Sequence, residues 1–413
     1  MIQVAVMGHG VVGSGVTEIL LKHSEEIKKK VKEEIYIKKV LDLRDFPDSP
    51  IADRFTKNFD DIINDDEIKI VVEVMGGLNP AYTFVKSCLE HGKSVVTSNK
   101  ELVAAKGAEL LKIAEENNLN FLFEASVGGG IPIIRPLNQC LAANDVYEID
   151  GILNGTTNYI LNKMIKESQT FEDALARAQQ KGYAERNPAA DVEGHDACRK
   201  ICILASLVFG KHFYPESVHT EGITNVSLTD VEYASAWGGA VKLIGSVKVT
   251  NGKQEIIVAP MFVSNECQLS SVDGVFNAIL VKGDSTGDVV FYGKGAGKLP
   301  TASAVVADVM DCVTHQSERR NIMWEDGNDE NILPFEETAY SMYVLANTDD
   351  KESAFAAANE AFGSCEKLER ENAAADELAF ITPVLKYADF EKAAENFEKC
   401  GAKVVSNIRI AVI

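Results

Sequence analysis

Ile2-Gln3-Val4-Ala5-Val6-Met7-Gly8-His9-Gly10-Val11-Val12-Gly13 is the stretch that decides the fold. Its first six residues read as a strand, and residues 13–33 read as a helix that becomes charged toward its end. Between them lies a G-x-G-x-x-G string, weak by itself but specific in the first βα turn of a βαβ unit. There Gly8 permits the tight turn and Gly10 lets backbone approach a pyrophosphate at the helix N-terminus. Gly13 lets helix and strand pack closely. A dinucleotide site built on Gly8, Gly10, Val11, Val12 and Gly13 is the expectation, against a glycine turn that holds no ligand.

Working outward, strands at 36–41, 70–75, 94–97 and 120–124 alternate with helices at 80–91 and 101–117. Apolar strands alternating with helices predict a parallel sheet covered on both faces. This gives an α/β chain whose Rossmann-type dinucleotide-binding domain spans 1–125, with 300–317 returning to it. Asp42 ends the second strand and suits a ribose 2′-hydroxyl. Arg44, two residues on, suits a 2′-phosphate instead. The reading favours NAD with NADP tolerated. Thr97 and Lys100 stand at the carboxyl end of a strand, where open α/β sheets bind ligands. A lysine at a helix start opposes the helix dipole, which points to function at Lys100.

From about 126 the pattern changes. A glycine-rich turn, a strand at 146–153, a long helix from 157, a polar loop at 182–194 and an apolar helix at 196–209 come first. Strands at 255–263, 275–281 and 287–292 follow, which makes 126–299 an α+β substrate and dimerisation domain. Residues 318–335 are charged, contain Gly327 and Pro334, and read as a linker. Residues 336–413 then read strand, helix, strand, strand, helix, strand, a ferredoxin-like βαββαβ order.

The 413 residues carry 41 basic and 62 acidic side chains, a net charge of −21. So acidic a surface repels phosphate and argues against a nucleic-acid or anionic-membrane partner. No apolar run approaches the roughly 18 residues of a membrane span. The start of the chain is strand-like, without a basic leader or cleavage site. Eight scattered cysteines without a C-x-x-C fit a reduced, cytoplasmic protein. Cys198 and Cys202 are spaced for one helix face, a weak metal signal, and the seven histidines form no H-E-x-x-H.

The densest chemistry lies in Ala178-Gln-Gln-Lys-Gly182-Tyr-Ala-Glu185-Arg-Asn-Pro188-Ala-Ala-Asp191-Val-Glu-Gly194-His-Asp196-Ala-Cys-Arg-Lys200. Asp196 and Lys200 are i, i+4 and share a helical face. Blandly they are a surface ion pair. The apolar run Ile201 to Phe209 says instead that their helix is buried, where an ion pair is costly unless it has a task. With Glu185 and Asp191 nearby, this suits a substrate bearing one carboxylate and one ammonium.

This stretch resembles the signature of the homoserine dehydrogenases, A-x3-G-[aromatic or aliphatic]-[small]-x2-N-P-x2-D-[aliphatic]-x-G-x-D-x3-K, at every specified position. Thr97-Ser98-Asn99-Lys100 is similar to the family's T-A-N-K, and Asn154-Gly155-Thr156-Thr157-Asn158-Tyr159 to its N-G-T-x-N-Y. Glu124 to Pro132 resembles E-A-x-V-x-x-x-I-P, and Gly295 to Ala302 the late cofactor loop. The likeness covers roughly 1–320 in order. It implies interconversion of L-homoserine and L-aspartate 4-semialdehyde with NAD or NADP, in threonine and methionine biosynthesis, by a homodimer or homotetramer. Lys200 is then the proton donor and acceptor, with Lys100 a second lysine of the active centre. Thr156, Glu185, Asp191 and Asp196 are substrate positions, with Asp196 also paired to the catalytic lysine. Gly182 and Gly297 are late cofactor contacts. Glu124 with the carbonyls of Val127, Gly129 and Ile131 is a structural sodium site, whose bland alternative is a turn without an ion. The reading requires the two lysine ammonium groups to meet in one cleft, each lowering the other's pKa.

Residues 336–413 look like an ACT domain by element order. Such domains usually carry D-x-P-G after the first strand, whereas Thr348-Asp349-Asp350-Lys351-Glu352-Ser353 has neither the proline nor the glycine. A threonine effector and a ligand-free dimerisation module both stay open. Two other readings of the whole chain are a different amino-acid-related NAD(P) dehydrogenase and a non-catalytic amino-acid sensor.

Overall fold

The computed structural model describes residues 1–316 and 318–413; Ser317, the last residue of the segment expected to return to the first domain, lies outside the described residues. By internal packing the chain divides into two units. The first is Met1–Asp145 with Cys202–Pro215 and Phe291–Asn328, and the second is Val146–Ile201 with Glu216–Val290 and Asp329–Ile413.

The first unit holds a six-stranded sheet. In spatial order its strands are Phe55–Thr56, Ile35–Leu41, Ile2–Met7, Ile68–Glu73, Ser94–Thr97 and Phe121–Leu122, all parallel. The order reverses at Ile2–Met7, so the carboxyl ends of that strand and of Ile68–Glu73 flank the crevice where such sheets bind ligands. Val4, Ala5, Val6, Val71 and Val72 are fully buried, as strands covered on both faces require. The parallel sheet expected from the sequence is therefore present. The helix expected over 13–33 is two, Val11–Lys22 and Ser24–Val31, broken at His23. Part of the stretch read as a linker is packed into this unit. Trp324 is buried, and its indole N–H donates to His212 Nδ1 at 2.9 Å, while His212 Nε2 donates to Ala104 O at 2.7 Å.

The second unit is built on a ten-stranded sheet. Strand Lys253–Ser264 pairs antiparallel with Gly239–Thr250 over its whole length. Gly239–Thr250 pairs with Val146–Ile152, which pairs in turn with Phe276–Gly283. Lys242, on strand Gly239–Thr250, is buried. Its ammonium donates to Val272 O at 2.6 Å and to Asn158 Oδ1 at 3.3 Å.

The sheet does not stop at the boundary expected near 335. Strand Lys403–Ile410 pairs with Met342–Asn347, which pairs with Glu377–Ile381, and that with Glu366–Leu368. Counted within the C-terminal segment, this spatial order is 4-1-3-2, the ferredoxin-like arrangement expected from the sequence. Helices Lys351–Phe362 and Tyr387–Glu398 cover one face through Phe362, Phe390 and Phe397. The other edge of Lys403–Ile410 adds to Lys253–Ser264 through Met261–Arg409 and Phe262–Ile410, so one sheet runs through both parts.

Candidate active site

In the first unit the glycine loop follows strand Ile2–Met7 directly. Gly8 has φ +98°, and a Cβ on Gly13 would sit 2.0 Å from Gly8 O, so the turn and the helix contact both exclude a side chain. A Cβ on Gly10 would meet nothing within 4 Å, and the helix start at Val11 has no side-chain cap. Open space before uncapped N–H groups fits a dinucleotide pyrophosphate. Asp42 accepts from His9 N at 2.8 Å and from the Arg44 guanidinium at 2.9 Å. Arg44 holds the Asp42 carboxyl well below the usual carboxylate range. The two residues read as rivals for the 2′ position are therefore bonded to each other, with Arg44 on the exposed side.

Thr97 is fully buried. Its hydroxyl donates to Glu73 Oε2 at 2.6 Å and accepts from Asn99 N at 2.9 Å. Thr97 thus ties two strand ends together through its side chain. Glu73, which the sequence did not single out, is the hub of that tie and also accepts from Met75 N at 2.8 Å. Burial pushes its carboxyl up, against the pull of these donors. Asn99 caps helix Lys100–Glu116 through Leu102 N and donates to Gly77 O at 2.7 Å, placing Lys100 at the helix start.

Glu124 is buried, and its carboxylate accepts from Ile133 N, Ile134 N and Arg135 N at 2.7 to 2.9 Å. Capping three backbone donors accounts for this carboxylate without a cation. Sodium would then rely on the carbonyls of Val127, Gly129 and Ile131, oxygen ligands of a kind a hard cation accepts. Gly297 caps helix Lys298–Thr314 with φ +123°.

In the second unit Asn154 caps helix Gly155–Glu167, its side chain accepting from Thr157 N at 2.8 Å. The same amide donates to Asp191 Oδ1 at 2.7 Å and Asp196 Oδ2 at 2.9 Å. Lys200 donates to Asp196 Oδ2 at 2.8 Å and to Leu153 O at 2.7 Å, and both members of the pair are buried. Thr156 donates to Tyr183 O at 2.7 Å, holding the loop that contains Gly182 against the helix start. Asp191, Asp196, Lys200 and Thr156 are thus drawn to one helix N-terminus, with Glu185 exposed on the neighbouring loop. Asn154 is the residue missed; its place before Gly155 and Thr156 marked a cap but not a bridge.

The turn after strand Met342–Asn347 closes on itself, because Asp350 accepts from Glu352 N at 3.2 Å and Ser353 N at 3.1 Å. Cys198 and Cys202 are buried, and no group of three or more His, Cys, Asp or Glu among the described residues is placed to hold a metal. No helix among them is long and apolar enough to cross a membrane.

A Rossmann sheet with an open glycine loop, and a separate cluster of one lysine and two carboxylates bridged by an amide, define a dinucleotide-dependent dehydrogenase of amino-acid-like substrates. Residues 8–124 match the homoserine dehydrogenase NAD-binding domain and residues 132–310 the homoserine dehydrogenase family. The chain is 43% identical over 320 residues to a homoserine dehydrogenase of Synechocystis, covering 76% of this chain and 73% of that protein. It is 39% identical over 355 residues to that of Pseudomonas aeruginosa, covering 84% and 82%. The crystal structure of a homoserine dehydrogenase from Thiobacillus denitrificans superposes with a TM-score of 0.88 at 34% identity, over 99% of this chain and 98% of that one. A hyperthermophilic archaeal homoserine dehydrogenase mutant in complex with NADPH aligns with a TM-score of 0.64 at 29% identity, over 75% of this chain and 97% of that one. The chain belongs to the homoserine dehydrogenase family and is an NAD(P)-binding oxidoreductase of amino-acid biosynthesis. The readings as a non-catalytic amino-acid sensor and as a different amino-acid-related dehydrogenase fall away.

Proposed function

We propose that Lys200 is the general acid and base of the interconversion of L-homoserine and L-aspartate 4-semialdehyde. The observation that carries this is the buried Lys200–Asp196 pair, joined to Asp191 through Asn154. Burying an ion pair costs several kcal/mol per charge before its mutual attraction is counted, so a buried pair is weak evidence of stabilisation. Its bonds to Leu153 O and Asp196 fix the direction of the ammonium. A bound NAD(P) supplies or accepts the hydride. Lys200 gives a proton to the oxygen that gains negative charge in reduction, and takes it back in oxidation. Asp191, Asp196, Thr156 and Glu185 hold the amino acid, carboxylates facing its ammonium. Lys100, kept at a helix start where a cation is disfavoured, is the second active-centre cation.

NAD is preferred and NADP accepted, supported by Asp42 at the strand end and the exposed Arg44 beside it. The setting is the cytoplasm and the working form a homodimer or homotetramer, both supported by the family likeness. The C-terminal module has a structural role rather than a threonine site, supported by Asp350, which occupies backbone donors at its first turn.

Absorbance at 340 nm with homoserine and each cofactor in turn tests the assignment. Lys200→Ala should lower kcat by a factor on the order of 10² or more. Turnover near the native rate in that variant, in both neutral and alkaline buffer, removes Lys200 from the proton step.

A further inference from the structure

Two strand ends share one edge of Lys253–Ser264. His219–Thr220 pairs with Ile257 and Val258, and then Arg409–Ile410 pairs with Met261 and Phe262. Glu221, the residue after the first of these ends, donates its N–H to Val258 O at 2.7 Å. Arg409 is 2% exposed, and its Nη1 donates to Glu221 Oε2 at 2.8 Å. Its guanidinium lies 5.1 Å from the Phe335 ring, 5.4 Å from Tyr387 and 5.9 Å from Tyr340. His219 meets the other Glu221 oxygen at 2.6 Å and stacks on Phe335 at 3.4 Å. Burial pushes the Glu221 carboxyl up, but His219 and Arg409 outweigh it and hold the group at about 2.

Beyond Glu221 the backbone lies directly on the substrate loop. A Cβ on Gly222 would fall 2.1 Å from Val192 O and 2.5 Å from Glu193 Cα. Ile223 N donates to Val192 O at 2.8 Å, and a Cβ on Gly194 would come within 3.1 Å of Glu221 O. Val192 to Gly194 lies between Asp191 and Asp196, the two carboxylates bridged by Asn154. Backbone against backbone leaves no side chain to absorb a displacement.

We propose that Arg409 of the C-terminal module is a positioning residue for substrate binding, acting through Glu221 on the loop that carries Asp191 and Asp196. A buried guanidinium separated from its carboxylate is strongly disfavoured, so the module and the loop support are held as one piece. The module thereby contributes to the amino-acid site without touching the amino acid. The inference rests on the reading that Asp191 and Asp196 bind that substrate.

The test is steady-state kinetics on the full-length enzyme with homoserine and, separately, the cofactor as varied substrate, beside a thermal melt. Arg409→Met and Glu221→Gln should each raise the homoserine KM roughly tenfold, about the 1.4 kcal/mol of that ratio, with the cofactor KM unchanged. Arg409→Lys should recover part of the loss. Asp191→Asn, run alongside, tests the underlying reading. A raised homoserine KM in Asp191→Asn with an unchanged one in folded Arg409→Met overturns the inference alone, and an unchanged KM in Asp191→Asn overturns both. A fall in kcat with both KM values constant, tracking only the folded fraction, reduces Arg409 to a stability role and also overturns it. Should Arg409→Met not fold, Glu221→Gln decides, since its half-exposed side chain keeps its shape and loses only its charge.

Discussion

Removing the amide of Asn154 leaves Asp191 and Asp196 without the donor that both of them share. Asn154→Ala is expected to cost about 1 kcal/mol of stability as a lost helix cap. It should also raise the homoserine KM by about tenfold or more, because two carboxylates in one place repel. A melt and a homoserine titration separate the two effects; an unchanged KM would mean Asn154 is a cap and nothing else. The signature over 178–200 made Asp191, Asp196 and Lys200 legible, since it carries residue type and spacing together. Asn154 was not, because its partners are 37 and 42 residues away and its neighbours already give it a local task. The bond of the Thr97 hydroxyl to Glu73, 24 residues back, was hidden in the same way, since no local pattern reports it.

At the junction of strand Ile2–Met7 and helix Val11–Lys22 the glycines divide into two kinds. Gly13 is required by packing, since a Cβ would overlap Gly8 O at 2.0 Å, whereas Gly10 has room for one. Gly13→Ala is therefore expected to lower the melting temperature and abolish cofactor binding together. Gly10→Ala should leave the melt nearly unchanged while raising the cofactor KM about tenfold, because the added methyl stands where a pyrophosphate approaches. Equal losses of stability in the two variants would contradict this division. Elements with strong periodicity were legible to within a residue or two. The misses have local causes. Helix Phe171–Gln180 has only a short local mark in the sequence, its cap Thr170, which accepts from Asp173 N at 3.2 Å. Strand Phe55–Thr56 has two residues, too few to show alternation. The break at His23 interrupts a helical pattern without glycine or proline to announce it.

Lys242 sets a pH dependence for the chain as a whole. Burial lowers its pKa to about 8, below the roughly 10.4 of a solvated lysine. Between these values the unfolded chain binds a proton that the folded chain releases, so this group adds stability as the pH rises through that window. Below about 8 its full desolvation cost is present. In urea unfolding at pH values of about 7, 9 and 10, the native chain should gain stability relative to Lys242→Met as the pH rises; a constant difference between the two chains would remove Lys242 as a source of pH dependence. At this scale the sequence told least. The three-part order was readable from element types, and the ferredoxin-like order of the last part with it. The fusion of that part into the sheet of the preceding one was not, since the joint is only two residue pairs, Met261–Arg409 and Phe262–Ile410. That joint also sets a clock. Its two sides are separated by roughly 150 residues of chain, so at 5–20 residues per second a ribosome takes on the order of ten seconds or more to supply the second side. Through that interval part of the apolar edge of Lys253–Ser264 stands open, and the nascent polypeptide is most exposed to misassembly in the seconds before its final strand emerges.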